Sequence, residues 1–413
     1  MSEKNFTIPA QLCVRCRGKG LCGMPCPILK KFRESQPKIK EEFSGSSPPE
    51  IFVGRYNYPN IFAGILAPNQ NENTENMSFP ESWLKENKAI LDILNYRSKL
   101  IYSRFQTKIK GQRNNLDETM QITSMASSPF SLYFKLKKKP NISFFLDIFH
   151  PIIGNPALVE KIKPEENVKV ESKVDYLIND VDVKATTAMN ELYKSRINTS
   201  NIIKILSAGL LGIKKDRKLV PTRWAITATD DSLGKQLLEK IRYYQEISEI
   251  QLFHYYYNGN HFEVLFLPGN WSFEVIEVSM PGSEWNATHN LNAPLFMQDY
   301  ESSFPRKKYA ENVVGAYYTD RLAACEYLEK IKRQATVLLL HEERPEYFAP
   351  LGVGIIRESL RKMFFETKPE KPETIEEAFF IMEKRLHAPI SKYKEMSWIL
   401  KNYGKQKKLF DFN

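Results

Sequence analysis

Three apolar runs near the middle of the chain, QLFHYYYNG, HFEVLFLPG and WSFEVIEVS, limit the fold more than any other feature. Their β-branched and aromatic residues suit a pleated, half-buried surface, and the NGN and PGN steps between them supply turn residues. The spacing predicts a β-meander over residues 249–278. Antiparallel neighbours joined by short turns exclude an all-parallel sheet, in which every strand needs a long crossover. Glu263, Glu274 and Glu277 are the acids on this stretch. Glu274 and Glu277 are three apart, so on a regular strand they face opposite sides and cannot share one site without a bulge.

Helical and strand patterns alternate around the meander. Residues 44–49 (SGSSPP) read as a linker, and IFVGRYNYPNIFAGILAP at 51–68 reads as short strands and turns. SWLKENKAILDILNYRSKLIYSRF has helical periodicity, with Trp83, Ile90, Leu91 and Leu94 on one face. SLYFKLKK and ISFFLDIFHP read as strands, and His150 at the end of the second as a hydrogen-bonded structural residue. NIIKILSAGLLG is a helix stopping at Gly209 or Gly212. YAENVVGAYYTDRLAACEYLEKIKRQ is a long helix interrupted at Gly315, with Cys325 as a core thiol. ATVLLLHEERPEYF is a buried strand, GVGIIRESLRKMF a helix, and KPEKPE a linker to two last helices. The mixture predicts an α+β fold, with a mainly antiparallel central sheet, flanking helices and a small N-terminal zinc module. The expected parts are a basic arm at 1–43, a main domain at 50–367, C-terminal helices at 374–404 and a tail at 406–413.

The 413 residues, 42% hydrophobic, are ample for a buried core. Lys and Arg outnumber Asp and Glu by 59 to 49, a net charge of +10 that fits a polyanionic partner without requiring one. Apolar runs such as 337–340 are far too short to span a membrane, and the start MSEKNFTIPAQLC has no apolar signal core. The expectation is a cytoplasmic protein with no membrane partner.

Four of the five cysteines, Cys13, Cys16, Cys22 and Cys26, crowd into C-x2-C-x5-C-x3-C. In an intracellular chain this suggests metal ligation, not disulfides. Two short thiolate loops can surround a tetrahedral ion, with Gly18, Gly20 and Gly23 supplying the backbone angles. The spacing favours structural Zn²⁺. The CxxxCP ending also occurs around iron–sulfur clusters, and unligated thiols are the third alternative. Arg15, Arg17 and Lys19 make the module basic, which suits phosphate contacts or a solvated basic arm.

Two stretches point towards catalysis or nucleic acid. Asp180, Asp182 and Lys184 include the D-x-K spacing with which metal-dependent nucleases hold Mg²⁺ or Mn²⁺ and orient water. The competing reading makes Asp180 or Asp182 a helix cap. In RKLVPTRWAITATDD, Arg217, Lys218, Arg223 and Trp224 can stack on bases or clamp phosphates. Asp230 and Asp231 after them either hold a metal or cap the helix DSLGKQLLEKIRYYQEI. Arg55, Tyr56 and Tyr58 form a second Arg–aromatic cluster, suited equally to a base and to internal packing. There is no P-loop, dinucleotide glycine motif or nucleophile elbow.

At the end of the chain, Gln406, Leu409 and Phe412 fall at positions one, four and seven of QKKLFDFN. Leu and Phe three apart share one face of a helical turn, and Gln can anchor that turn by hydrogen bonds. The alternative is a tail folded back on its own domain. This stretch resembles the peptide that replication and repair proteins dock on the DNA sliding clamp, PCNA. Asn413 stands where that pattern has a second aromatic, which implies weaker docking in the same mode. The chain as a whole resembles the archaeal Nre family of DNA repair proteins. The resemblance rests on CVRCRGKGLCGMPCP, FVGRYNYP, LINDVDVKA with ELYKS, ILSAGLLG followed by RKLVPTRWAITATDD, GNHFEVLFLPGNWSFEVIE, and IKRQATVLL with GVGIIRE. It implies a role in DNA damage repair, a four-Cys zinc finger on Cys13, Cys16, Cys22 and Cys26, and clamp binding through Gln406, Leu409 and Phe412. Location at the nucleoid when clamp-bound would follow. The resemblance assigns no reaction. A metal-dependent DNA-processing enzyme and a non-catalytic interaction hub are therefore the rival expectations.

Overall fold

The computed structural model of the protein describes residues 40–139, 153–283, 286 and 293–405. The four clustered cysteines, Arg15, Arg17, Lys19, His150, and the tail residues Gln406, Leu409 and Phe412 lie outside the described residues. Where the sequence suggests one main body over 50–367, the chain divides into two units. One holds the described residues up to Leu233 together with Pro350–Ile355; the other holds the described residues of Gly234–Ala349 and of Ile356–Lys405. Both are mixed α+β with mainly antiparallel sheets.

The first unit is built on six strands: Glu42–Ser47 (β1), Glu50–Val53 (β2), Asn60–Ala67 (β3), Ile101–Lys108 (β4), Phe130–Leu136 (β5) and Asn155–Pro164 (β6). They lie in the order β1-β5-β6-β4-β3-β2. Every neighbouring pair is antiparallel except β4 and β6, which run parallel over Ile101–Arg104 and Asn155–Leu158. β5 alternates cleanly, burying Phe130, Leu132, Phe134 and Leu136. The SGSSPP segment is not a linker: most of it belongs to β1, paired with β5. Its residues are small because the backbone of Pro68 lies against Gly45, where a Cβ would overlap the Pro68 carbonyl. The segment LIYSRF also departs from expectation. The helix ends at Lys99, and Ile101, Tyr102 and Phe105 continue as β4.

Helices Pro80–Lys85 (α1), Ile90–Lys99 (α2), Asn115–Met125 (α3), Ser172–Asn179 (α4), Ala185–Lys194 (α5) and Thr199–Ser207 (α6) surround this sheet, and Thr222–Ile241 (α7) begins beside it. Trp83, Ile90 and Leu94 are buried as their spacing predicts, whereas Leu91 points outward. α6 stops before Gly209, whose φ of 72° ends the helix in the left-handed region. Asn114 caps α3 by accepting from the N–H groups of Leu116 and Asp117. Lys204 on α6 is buried, donates to the Pro49 carbonyl at 2.6 Å, and lies over the Phe79 ring; burial lowers its pKa to about 8.

The second unit holds Gln251–Tyr257 (β7), Asn260–Leu267 (β8), Ser272–Ser279 (β9), Leu295–Glu301 (β10) and Thr336–Glu343 (β11), in the order β10-β9-β11-β8-β7. β7 and β8 form the expected hairpin, with Asn258 and Gly259 both at positive φ (49° and 83°) as its tight turn requires. The meander stops there. β11 is inserted between β8 and β9, antiparallel to the first and parallel to the second. The reason lies in TVLLLHEE: all eight of its residues are buried, and a strand covered on both faces belongs in the middle of a sheet. Gly315–Ile331 (α8) begins at Gly315 instead of being interrupted by it, and Cys325 is a buried core thiol. Tyr327 of α8 and Phe364 of Val353–Glu366 (α9) pack on Phe253 and Phe266 of the sheet, with ring centroids 5.1–5.5 Å apart.

Ile375–Glu383 (α10), Ile390–Met396 (α11) and Trp398–Asn402 (α12), three helices where two are expected, share an apolar core with Leu252, Leu265, Leu338 and Leu340. Buried carboxylates fasten them. Glu274 accepts from the Ser397 hydroxyl and from the N–H groups of Trp398 and Ile399 at the start of α12 (2.6, 2.7 and 2.9 Å). Glu342 accepts from the His387 and Ala388 N–H groups and from the Tyr393 hydroxyl.

Glu277 lies on β9 three residues beyond Glu274, and its burial raises its pKa well above the carboxylate range. Its cross-strand neighbour His341 is buried too, pushed down to about 3 and therefore neutral, so it offers no countercharge. The unfolded chain releases the Glu277 proton near pH 4.5, while the folded chain keeps it. Stability is thus full below that pH and is lost as pH rises through the folded value. Glu277→Gln is expected to raise the melting temperature at pH 8 and to raise it much less at pH 5. Thermal denaturation at the two pH values checks this; an equal gain at both would contradict it.

Candidate nucleic-acid interface

Two stretches far apart in sequence meet in the first unit. β2 leads into the turn at residues 54–59, and β3 returns antiparallel, with Val53 opposite Ala63. Within the turn Asn57 takes a φ of 62° and its carbonyl accepts from the Asn60 N–H at 2.8 Å. Pro221 opens α7, its carbonyl accepting from the N–H groups of Trp224 and Ala225. The two are tied by Thr222: its Oγ1 accepts from the Val53 N–H at 2.9 Å, across 169 residues, and lies 3.3 Å from the Ser207 hydroxyl. That tie brings Tyr58 against Trp224, ring centroids 5.3 Å apart.

The result is an aromatic surface beside a cationic pocket. Tyr56 is 68% exposed, Trp224 45% and Tyr58 42%, unusual for side chains of this size. The pocket has a volume of about 390 Å³. Phe52, Phe62 and Tyr102 give it aromatic walls, and Arg55, Arg104 and Arg223 are its charged residues among the described ones. The Arg104 guanidinium sits 4.5 Å from the Phe62 ring centroid, and its buried Nε has no hydrogen-bond partner among the described residues. The Arg55 guanidinium lies 5.2 Å from the Tyr56 ring. Such a surface can stack on a flat aromatic ring and neutralise an attached anion.

Sequence reasoning found Arg55, Tyr56, Tyr58, Arg223 and Trp224 as two separate clusters. It missed Arg104 and Tyr102, because they lie in the segment whose periodicity reads as helix. Arg217, which the sequence groups with Arg223, has a different task. Its guanidinium donates to the carbonyls of Gly212, Ile178 and Asp180 at 2.7–2.8 Å, tying three backbone segments together.

The candidate acids do not form a metal centre. Asp180 ends α4, and its Oδ1 accepts from the N–H groups of Asp182 and Val183, both at 3.1 Å. This is an Asx turn joining α4 to α5. Asp182 is exposed, and Lys184 occupies the N-cap position of α5 without a side-chain bond. Asp230 and Asp231 are not caps either: α7 begins at Thr222, which places both in its interior. Glu263 lies on β8 in the second unit, bonded to His261 Nε2 at 2.9 Å and to Arg385 at 2.8 Å. Burial pushes Glu263 up to about 7, against the opposing pull of the Arg385 guanidinium. Among the described residues no three His, Cys, Asp or Glu side chains are placed to hold a metal ion together. No described helix is long and apolar enough to cross a membrane.

If Arg217 is a clamp and not a ligand, Arg217→Met should lower the unfolding free energy by about 2 kcal/mol, the scale of charged hydrogen bonds lost to backbone carbonyls. Nucleic-acid affinity of the folded variant should match that of the parent. Chemical denaturation and a DNA-binding titration of the same preparation separate the two effects.

Comparison with known proteins agrees with the whole-chain pattern. The family profile described as Archaeal Nre, N-terminal, matches residues 21–286, and the one described as Archaeal Nre, C-terminal, matches residues 301–412. DNA repair protein NreB of Archaeoglobus fulgidus is 34% identical over 401 residues, 97% of this chain and 99% of its own. DNA repair protein NreA of the same organism is 35% identical over 91% of this chain and 93% of its own. NreA of Haloferax volcanii is 32% identical, covering 93% of each chain. No solved structure matches. With both family profiles matched in order and relatives aligned nearly end to end, the chain belongs to the archaeal Nre family.

Proposed function

We propose that this protein acts in DNA repair, meets DNA through the arginine–aromatic surface around Tyr58 and Trp224, and is held at its place of work by the PCNA sliding clamp. The observation that carries the DNA contact is the meeting of the 54–59 turn with the start of α7, which gathers exposed aromatic rings beside three arginines. The process comes from the relatives, which are named DNA repair proteins.

Clamp binding falls to Gln406, Leu409 and Phe412. The family's C-terminal profile extends to residue 412 and so takes in this whole pattern. For the N-terminal module the donor set is the argument. Four thiolates, Cys13, Cys16, Cys22 and Cys26, fit Zn²⁺ in a closed structural site with no position left for substrate. Arg15, Arg17 and Lys19 would add phosphate contacts without sequence preference. On this reading the protein works in the cytoplasm, at the nucleoid when clamp-bound.

Binding measurements test each part. A chain ending at Lys405 should lose at least about ten-fold in PCNA affinity relative to the full chain, and equal affinity would remove the clamp role. Trp224→Ala should weaken DNA binding about ten-fold at fixed salt, the scale of one lost stacking contact; unchanged affinity would remove this surface as the interface. Metal analysis of the purified full chain should give zinc. Iron with visible absorbance would replace that assignment with an iron–sulfur cluster.

A further inference from the structure

The exposed rings and the pocket behind them need not serve the same part of a DNA strand. A duplex shows its phosphates and groove edges outward and keeps its ring faces stacked inside. Tyr56, Tyr58 and Trp224 therefore present flat surfaces that a matched duplex cannot use. The pocket sharpens this mismatch. Its aromatic walls and volume of about 390 Å³ suit a small planar group, and a continuous double helix cannot enter it. Among the described residues its lining charges are the cations Arg55, Arg104 and Arg223, which suit a group that carries an anion. Arg104 adds a specific feature. Its Nε is buried and lacks a partner among the described residues, an unused donor beside the aromatic wall formed by Phe62.

We propose that this pocket receives one unpaired nucleotide of a DNA strand. The base leaves the stack and enters between the aromatic walls, where Arg104 can donate to its edge. The neighbouring phosphates rest near Arg55 and Arg223, and adjoining bases stack on Tyr56, Tyr58 and Trp224. The inference rests on the DNA-binding reading above and adds the form of DNA: single-stranded, bulged or distorted rather than intact. A free mononucleotide has the same ring and anion, but it leaves the exposed rings outside the pocket without an occupant, which favours the strand.

The test uses the full chain and four probes: a matched duplex, the same duplex with one bulged 2-aminopurine, a single strand, and deoxyadenosine monophosphate. The bulged duplex and the single strand should bind about ten-fold tighter than the matched duplex. The 2-aminopurine emission should change on binding as the base exchanges its stacked neighbours for the pocket. Ile153→Trp, which fills the cavity, should bring bulged-duplex affinity down to the matched level and abolish the emission change. Tyr56→Ala, on an exposed turn, tests the same preference without touching the core and should reduce it. Equal binding of matched and bulged duplexes by the parent would overturn the pocket assignment while leaving DNA binding in place. Failure to bind any DNA would instead overturn the proposed function. Mononucleotide binding as tight as that of the strand would make this a nucleotide site and overturn the assignment to DNA.

Discussion

The first unit depends on four pairs of residues. Ile101–Arg104 and Asn155–Leu158 run parallel, and this short seam joins the antiparallel group β1-β5-β6 to the antiparallel group β4-β3-β2. The approach is close at its edge. Gly154 takes a φ of 99°, and a Cβ there would overlap the Leu100 carbonyl, whose oxygen accepts from the Asn155 N–H at 3.0 Å. Only glycine lets the chain enter β6 at this point. The same seam sets Tyr102 and Arg104 beside Ile153 and Pro156, so the pocket walls come from both sides of it. The Thr222 tie then closes the pocket with Pro221 and Arg223. Fold and candidate site thus share their constraints. A change that loosens the seam therefore disturbs the pocket as well as the sheet.

The second unit uses acidic side chains as fasteners. Glu274 receives three donors at the start of α12, and Glu342 receives the backbone of residues 387–388 and the Tyr393 hydroxyl. A buried carboxylate with several donors is stabilised, and it orients the segment that supplies them. The three C-terminal helices span five to nine residues each, too short to hold their shape alone. Their shared apolar core and these carboxylates supply what helix propensity cannot. Acids in a sequence invite a catalytic reading; here burial and donor count identify them as structural.

The same contrast explains what the sequence could and could not reveal. The α+β class, the β7–β8 hairpin, the end of α6 near Gly209 and the buried Cys325 follow from local periodicity and turn chemistry, and these are legible. The insertion of β11 between β8 and β9 is not, because pairing partners some 70 residues apart leave no local mark. The apolar character of VLLL signals a central strand without saying whose neighbour it is. SGSSPP has the composition of a linker because small residues suit both linkers and a strand pressed against Pro68. Asp230 and Asp231 look like caps because they precede an amphipathic run, but Pro221 opens the helix two turns earlier. The candidate site was legible as two fragments. The Arg55–Tyr58 fragment alone fits internal packing equally well; its meeting with Trp224, tied across 169 residues, gives a surface.

That surface bears on how a weakened clamp motif could suffice. Asn413 stands where a second aromatic would strengthen docking, so the tail alone binds poorly on the proposed reading. The body begins close behind it. Tyr403 donates to the Pro268 carbonyl at 2.7 Å and packs on the core of the second unit. From Tyr403 to Gln406 is three residues, a reach of at most about 11 Å. On the proposed reading, a connection this short would hold the second unit near the clamp. Linked weak contacts add through effective concentration. On the proposed reading, a tail that docks weakly would favour DNA already carrying a clamp, because the two contacts together would hold the protein more firmly than either one. A full-strength motif would give up that selectivity by retaining the protein on clamps whose DNA offers the arginine–aromatic surface nothing to bind.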